Sequence, residues 1–182
     1  MQRIETSLPG VCLLQPQVFE DARGFFFETY HGRKLATLGI HDVFVQDNHS
    51  KSAKGTLRGM HYQLRYPQAK LCRVVQGEVL DVAVDLRRSS MTFGKWTSAV
   101  LSAENKQMIY LPTGFAHGFV VLSETAEFLY KCSGFYNAAD EHGVVWNDPQ
   151  LNIAWNIKGP LLSQKDAALP LLAEIEPSQL PE

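Results

Sequence analysis

What is missing from this chain narrows its role before any motif is read. The formal net charge is only −2, so there is no reason to expect nucleic acid, whose binders carry a basic face. A local cation cluster around an anionic ligand stays open. No apolar run approaches the roughly 20 residues that a helix needs to span a bilayer. Met1–Thr6 has no continuous apolar segment of the kind a signal peptide requires. Cysteine is scarce: Cys12, Cys72 and Cys132 are odd in number and far apart, which fits reduced thiols in the cytoplasm. Each lies in an apolar, strand-like segment and reads as a small buried hydrophobe. Repeats, low-complexity tracts and linkers are also absent. The expectation is a cytoplasmic protein of one domain, residues 1–182, with no nucleic-acid or membrane partner.

What is present is a series of short strands. Val11–Leu14 reads as a strand stopped by Pro16, and Asp21–Gly24 as a turn before an aromatic strand, Phe25–Tyr30. Three consecutive phenylalanines cannot share one face of a strand, because side chains alternate. One face therefore needs another partner, and a second subunit is a candidate. A short helix is expected from Gly32 to Gly39 and a strand at Val43–Asn48. Leu71–Val75 and Val79–Leu86 follow, around a turn at Gln76-Gly77. In the second, Leu80, Val82, Val84 and Leu86 form one face and Val79, Asp81, Ala83 and Asp85 the other. Trp96–Leu101, Met108–Leu111, Gly118–Leu122 and Glu127–Ser133 complete the set. The tail from Asp148 to Glu182 reads as mostly irregular, with one helical turn near Asp166–Leu172. Such spacing argues an all-β antiparallel sandwich or barrel.

The chemistry concentrates in Gly55–Gly77, where Arg58, His61, Gln63 and Lys70 interrupt a strand-like sequence. The spacing of Gly55, His61 and Gly77 resembles the first cupin motif. Gln63 and Lys70 stand where that motif has a second His and a Glu. Pro112-Thr113-Gly114-Phe115-Ala116-His117 resembles the core of the second motif, with Val121 in place of its Asn. Two imidazoles beside an ammonium make a poor site for a divalent cation, so a jelly-roll barrel without metal or other cofactor is expected. His61 alone is weak evidence, since a lone strand histidine is more often structural. Arg58 and Lys70 strengthen it, although either can be a solvated surface cation. Tyr130 shares a strand face with Phe128 and Cys132 and is expected to point inward.

Over nearly its full length the chain resembles the dTDP-4-dehydrorhamnose 3,5-epimerases. The blocks that carry the resemblance include Arg23-Gly24-Phe25 with Glu28, Gln46–Ser50, Leu57–Gln63, Gln68–Leu71, Gly77–Arg87, Leu101–Lys106, Pro112–Phe119, Phe128–Lys131, Trp146–Pro149 and Leu162–Asp166. The resemblance implies a substrate, a dTDP-linked 4-keto-6-deoxyhexose, whose C4 carbonyl acidifies the hydrogens on C3 and C5. It implies His61 as base, Asp166 orienting it, Tyr130 as acid and Lys70 stabilising the enolate oxygen. An imidazole with an unperturbed pKa near 6.5 suits the first role, and a phenol near 10 the second. For binding it implies Arg23, Glu28, Gln46, Asp47, Asn48, Arg58, Asp81, His117, Glu141 and Lys165, with Phe26 and Tyr136 as stacking candidates for the base. It also implies a homodimer in which the N-terminal strand crosses to the neighbour. On this reading Gly55–Gly77 supplies base and cation as one wall, and the opposite wall supplies the acid. The rivals are a single-centre epimerase, a metal-dependent cupin dioxygenase or isomerase, and a non-catalytic sugar-nucleotide binder.

Overall fold

Alternation of apolar and polar side chains produces two antiparallel sheets that face each other in the computed structural model, which describes residues 1–182. The strands are β1 (Gln2–Glu5), β2 (Cys12–Gln15), β3 (Val18–Asp21), β4 (Gly24–Phe27), β5 (Gln46–Ala53), β6 (Leu57–Gln63), β7 (Lys70–Gln76), β8 (Glu78–Asp85), β9 (Trp96–Ser102), β10 (Met108–Leu111), β11 (Phe115–Val121), β12 (Thr125–Cys132) and β13 (Glu141–Gly143). Six form one sheet in the order β1-β2-β10-β7-β12-β5, and five form the other in the order β13-β6-β11-β8-β9. β3 and β4 stand apart as a hairpin. This is the all-β, cupin-type jelly roll expected from the motif spacing, with two short helices, α1 (Gly32–Thr37) and α2 (Gln164–Ala167). No helix is long and apolar enough to cross a membrane.

The differences from expectation have local causes. The aromatic strand ends at Phe27 rather than Tyr30, because its only partner, β3, pairs no further than Val18 with Phe27. The strand expected at Val43–Asn48 runs instead from Gln46 to Ala53. Its polar residues form a strand because β12 pairs with all eight of them in register. On its outer side His49 and Lys51 both meet Glu127 across the ladder, at 3.1 and 3.2 Å. β1, β3 and β13, three or four residues each, are too short and polar to announce themselves by periodicity.

Between the sheets lies an apolar core that includes Cys72, Val74, Val79, Ala83, Phe119 and Phe128. The outer face of the five-stranded sheet is equally buried. Leu57, Met60, Val82, Val84, Ala116 and Val120 pack there under Leu151, Trp155, Leu172, Ile175 and Leu180. β8 is therefore apolar on both faces because both are covered, as in a central strand of a layered fold. The tail that reads as irregular is the second cover. Gly77, at φ +74°, turns the chain from β7 in one sheet to β8 in the other, a conformation that glycine adopts at little cost.

Buried carboxylates fasten the loops. Asp148 accepts from the backbone N–H groups of Gln150, Leu151 and Leu172, which pins the tail to the turn after β13. Asp140 accepts from those of Arg65 and Tyr66. Asp85, fully buried, accepts from Arg87, Ser90 and Thr92 side chains and from the Arg87 backbone. Burial alone would raise the Asp85 carboxyl, but these donors outweigh it and hold it at about 2. A depressed carboxyl contributes stability above its unfolded pKa and loses it as pH falls through the folded value. Asp85→Asn is expected to lower the free energy of urea unfolding by about 2 kcal/mol at neutral pH. The gap from the parent should narrow between about pH 4 and pH 2; a gap independent of pH would show that ionisation of Asp85 contributes nothing.

Candidate active site

A cavity of about 440 Å³ opens inside the barrel, walled by both sheets and by the turn that carries Asp166. On β6, strict alternation would put Arg58 and His61, three residues apart, on opposite faces. Both nevertheless line the cavity, while Leu57 and Met60 both pack outward. The register against β11 shifts at this point: His61 pairs with His117 but Arg58 with Phe119. Gly59, at φ +116°, sits at the irregularity. A Cβ on it would lie 2.6 Å from the His117 carbonyl oxygen, and a Cβ on Gly118 would lie 2.7 Å from that of Arg58. Two glycines back to back thus let the strand gain a residue and turn Arg58 inward.

His61 and His117 are direct cross-strand neighbours, yet each has its own carboxylate. His61 Nε2 lies 2.5 Å from Asp166 Oδ1, and its Nδ1 is 3.8 Å from Glu141 Oε1. Asp166 is presented by α2, whose N-cap Ser163 accepts a hydrogen bond from the Asp166 backbone N–H. Burial would raise the Asp166 carboxyl, but the bonds from His61 and Ser163 prevail and hold it below its ordinary value. His117 Nε2 lies 2.9 and 3.0 Å from the two oxygens of Asp81, which is fully buried on β8. Its ring stacks on Phe128 at 6.1 Å.

Lys70 and Tyr130 come from the opposite sheet. β7 and β12 are neighbours there, with Cys132 paired to Lys70 and Tyr130 to Cys72. The expectation that base and cation form one wall facing the acid is therefore corrected. The loop between β6 and β7 crosses from one sheet to the other, so Lys70 stands beside Tyr130, and both face His61. Burial, followed by the influence of Cys132, Cys72 and Glu141, pushes the Tyr130 phenol up to about 12. It remains protonated at neutral pH and has a proton to give.

At the mouth Glu141 is held by Lys165 and by a hydrogen bond from the Tyr136 hydroxyl. Burial would raise Glu141, but these partners, followed by the charge of His61, hold it below its ordinary value. Arg58 donates through Nε to Ser52 Oγ at 3.1 Å. Arg58 and Lys70 take part in none of the chain's ion pairs. Two uncompensated cations in one cleft suit an anionic ligand.

Of the residues expected in the site, His61, Tyr130, Asp166, Lys70, Gln46, Asn48, Arg58, His117, Tyr136, Glu141 and Lys165 line this cavity. Asp81 stands behind His117. Three others lie elsewhere. Asp47 points out of the barrel between Gln46 and Asn48 and pairs with Lys131 at 2.8 Å, as strand alternation requires. Arg23 is exposed on the β3–β4 turn, paired with Asp21, and Glu28 pairs with Lys34. Gln63, singled out with Arg58, His61 and Lys70, lines the cavity as well, and so do Ser50, Gln68 and Ser163, which were missed. Counting in twos from Gln46 along β5 would have found Ser50.

The donor set does not fit a divalent metal. Where other cupins place ligands there is the ammonium of Lys70, and Nε2 of both histidines is already bonded to a carboxylate. Cys72, Asp81 and His117 do bring one donor atom each within 4.8 Å of one another. Both Asp81 oxygens, however, already lie within hydrogen-bond distance of His117 Nε2, so neither that carboxylate nor that ring nitrogen is free to ligate.

Residues 5–174 match the family described as dTDP-4-dehydrorhamnose 3,5-epimerase. A relative of that name from Pseudomonas aeruginosa is 56% identical over 91% of this chain and 93% of its own. A crystal structure of the dTDP-6-deoxy-D-glucose-3,5-epimerase of Legionella pneumophila, in complex with dTDP-4-keto-L-rhamnose, superposes with a TM-score of 0.97 at 46% identity. It covers 100% of this chain and 97% of the other. A 3'-monoepimerase from Streptomyces bikiniensis, in complex with dTDP-quinovose, has a TM-score of 0.88 at 38% identity, covering 93% of this chain and 87% of that one.

The bulge yields a direct test. Gly59→Ala adds a clash with backbone and a disfavoured φ, and is expected to cost about 3 kcal/mol in urea unfolding. A variant as stable as the parent would show that the Gly59–Gly118 approach is not required.

Proposed function

The chain belongs to the dTDP-4-dehydrorhamnose 3,5-epimerase family, and on that premise we propose how its residues divide the reaction. The enzyme is an isomerase that converts dTDP-4-dehydro-6-deoxy-D-glucose to dTDP-4-dehydro-L-rhamnose, the precursor of dTDP-L-rhamnose. The observation that carries the assignment of roles is the placement of a carboxylate-held imidazole and a protonated phenol on opposite walls of one cavity. Inversion at a carbon needs this arrangement, since a proton must leave one face and return to the other. His61, with Nε2 engaged by Asp166, takes the proton through Nδ1. Tyr130 returns one from across the ring, and Lys70 beside it stabilises the enolate oxygen on C4. Arg58, His117 and Lys165 offer cationic or polar donors to the diphosphate, and Tyr136, half exposed at the rim, offers a stacking face to the base. Gln46 and Asn48, joined by a 3.0 Å hydrogen bond, can read its polar edge.

Arg23 and Glu28 join this set in a homodimer. Three features support that reading: Phe19, Phe25 and Phe26 of the hairpin are more than half exposed, Arg73 Nη1 is buried on the outer face of the six-stranded sheet without a hydrogen-bond partner, and a second cavity of about 330 Å³ lies on that face beside Thr29 and Arg73. A cytoplasmic location, with no nucleic acid or membrane as partner, suits the three buried free thiols and a nucleotide-linked substrate. Surface polysaccharide, lipopolysaccharide included, and a specialised metabolite are the two destinations compatible with this reading.

A single-centre epimerase is the second reading, favoured by the likeness to the monoepimerase. Incubation with dTDP-4-keto-6-deoxyglucose in deuterated water, followed by NMR, separates the two. Deuterium is expected at both C3 and C5; incorporation at one carbon alone would support the single-centre enzyme, and none at either would sink both. His61→Asn should lower exchange by about 10²- to 10⁴-fold. Tyr130→Phe should retain some exchange while yielding little inverted product, and normal inversion by it would assign the acid elsewhere.

A further inference from the structure

Two inversions by one base and one acid leave a proton imbalance. In the gluco chair the hydrogens on C3 and C5 are both axial on the same ring face, so a single base can serve both centres. In each inversion the C–H bond breaks, its proton goes to His61, and its electron pair delocalises onto the C4 oxygen. The Tyr130 O–H then breaks, its proton adds to the opposite face of the same carbon, and the C4 carbonyl re-forms. The first inversion therefore ends with His61 as imidazolium and Tyr130 as phenolate. The second cannot begin until the imidazolium has released one proton and the phenolate has gained one.

The surroundings of His61 restrict where that proton can leave. Nε2 is closed by Asp166, whose side chain is only 6% exposed. Nδ1, which receives the substrate proton, has one acidic neighbour, Glu141 Oε1 at 3.8 Å. A small rotation or one bridging water spans such a gap. Glu141 is itself only 11% exposed, but its other oxygen meets Lys165, 53% exposed, and the Tyr136 hydroxyl. The carboxylate thus lies between the buried ring and the solvent at the cavity mouth.

We propose that Glu141 is the proton relay of this site, carrying the proton from His61 Nδ1 to solvent between the first inversion and the second. This rests on the epimerase reading above and adds a role for Glu141 beyond contact with substrate. Glu141 accepts the proton from the imidazolium and hands it to water at the Lys165–Tyr136 edge. Tyr130 recovers its proton from solvent on the other wall, so the cycle closes with no net change.

The test follows each inversion of dTDP-4-keto-6-deoxyglucose by NMR and rapid quench in the parent, Glu141→Gln and Glu141→Asp, at low and high imidazole. In Glu141→Gln the second inversion should slow about 10²-fold relative to the first, so that singly inverted sugar accumulates. Added imidazole, a small diffusible base, should restore the second inversion in proportion to its concentration. Glu141→Asp, which keeps a carboxylate, should accumulate less of the intermediate. Equal slowing of both inversions, no response to imidazole, or a Glu141→Gln variant as fast as the parent would each overturn the relay. A parent enzyme that exchanges neither carbon would instead overturn the epimerase reading itself.

Discussion

A single charge-assisted contact, 2.5 Å between His61 Nε2 and Asp166 Oδ1, ties the interior of the barrel to the chain that wraps its outside. His61 points inward from β6, while Asp166 arrives more than 100 residues later on a one-turn helix. That turn is held in place because the tail buries Leu172, Ile175 and Leu180 on the outer face of the same sheet. Asp148 fastens the tail at its start. Packing outside the sheet therefore sets the geometry of the His61–Asp166 pair inside it. Loosening of the tail would expose apolar surface and release the imidazole together.

The two histidines show how environment separates residues of one chemistry. They are paired across β6 and β11 and each meets a carboxylate. His117 is enclosed by Asp81 and Phe128, with only 8% of its side chain exposed. His61 is 26% exposed and keeps a nitrogen facing open cavity. Only the second combines a fixed orientation with access, which general-base chemistry requires. Across the cavity burial works in the opposite sense, keeping the Tyr130 phenol protonated. One barrel thus holds an accessible imidazole and a phenol that keeps its proton.

Much of this was legible beforehand. The alternation in Val79–Leu86, the regular succession of short strands and the two motif spacings pointed to an antiparallel barrel. The substitutions Gln63 and Lys70 pointed away from a metal. Asp47 lies outside this chain's cavity although both its neighbours line it, because Gln46, Asp47 and Asn48 cannot share a strand face. Arg23 and Glu28 lie on a hairpin remote from this chain's cavity, a position that no local pattern reveals.

The amino-acid order by itself determined the apolar strands, the turns at Gly24 and Gly77 and the residue types available for acid–base work, because these depend on side-chain period and backbone freedom over a few residues. Only the tertiary structure decided which of those residues meet. Arg58 and His61 share a cavity because two glycines in different strands approach closely enough to force a bulge. Lys70 sides with Tyr130 because the chain changes sheets between β6 and β7. Asp166 reaches His61 because an irregular tail has an apolar face to bury. Each of these is a contact between distant segments, and its energy exists only once both are in place.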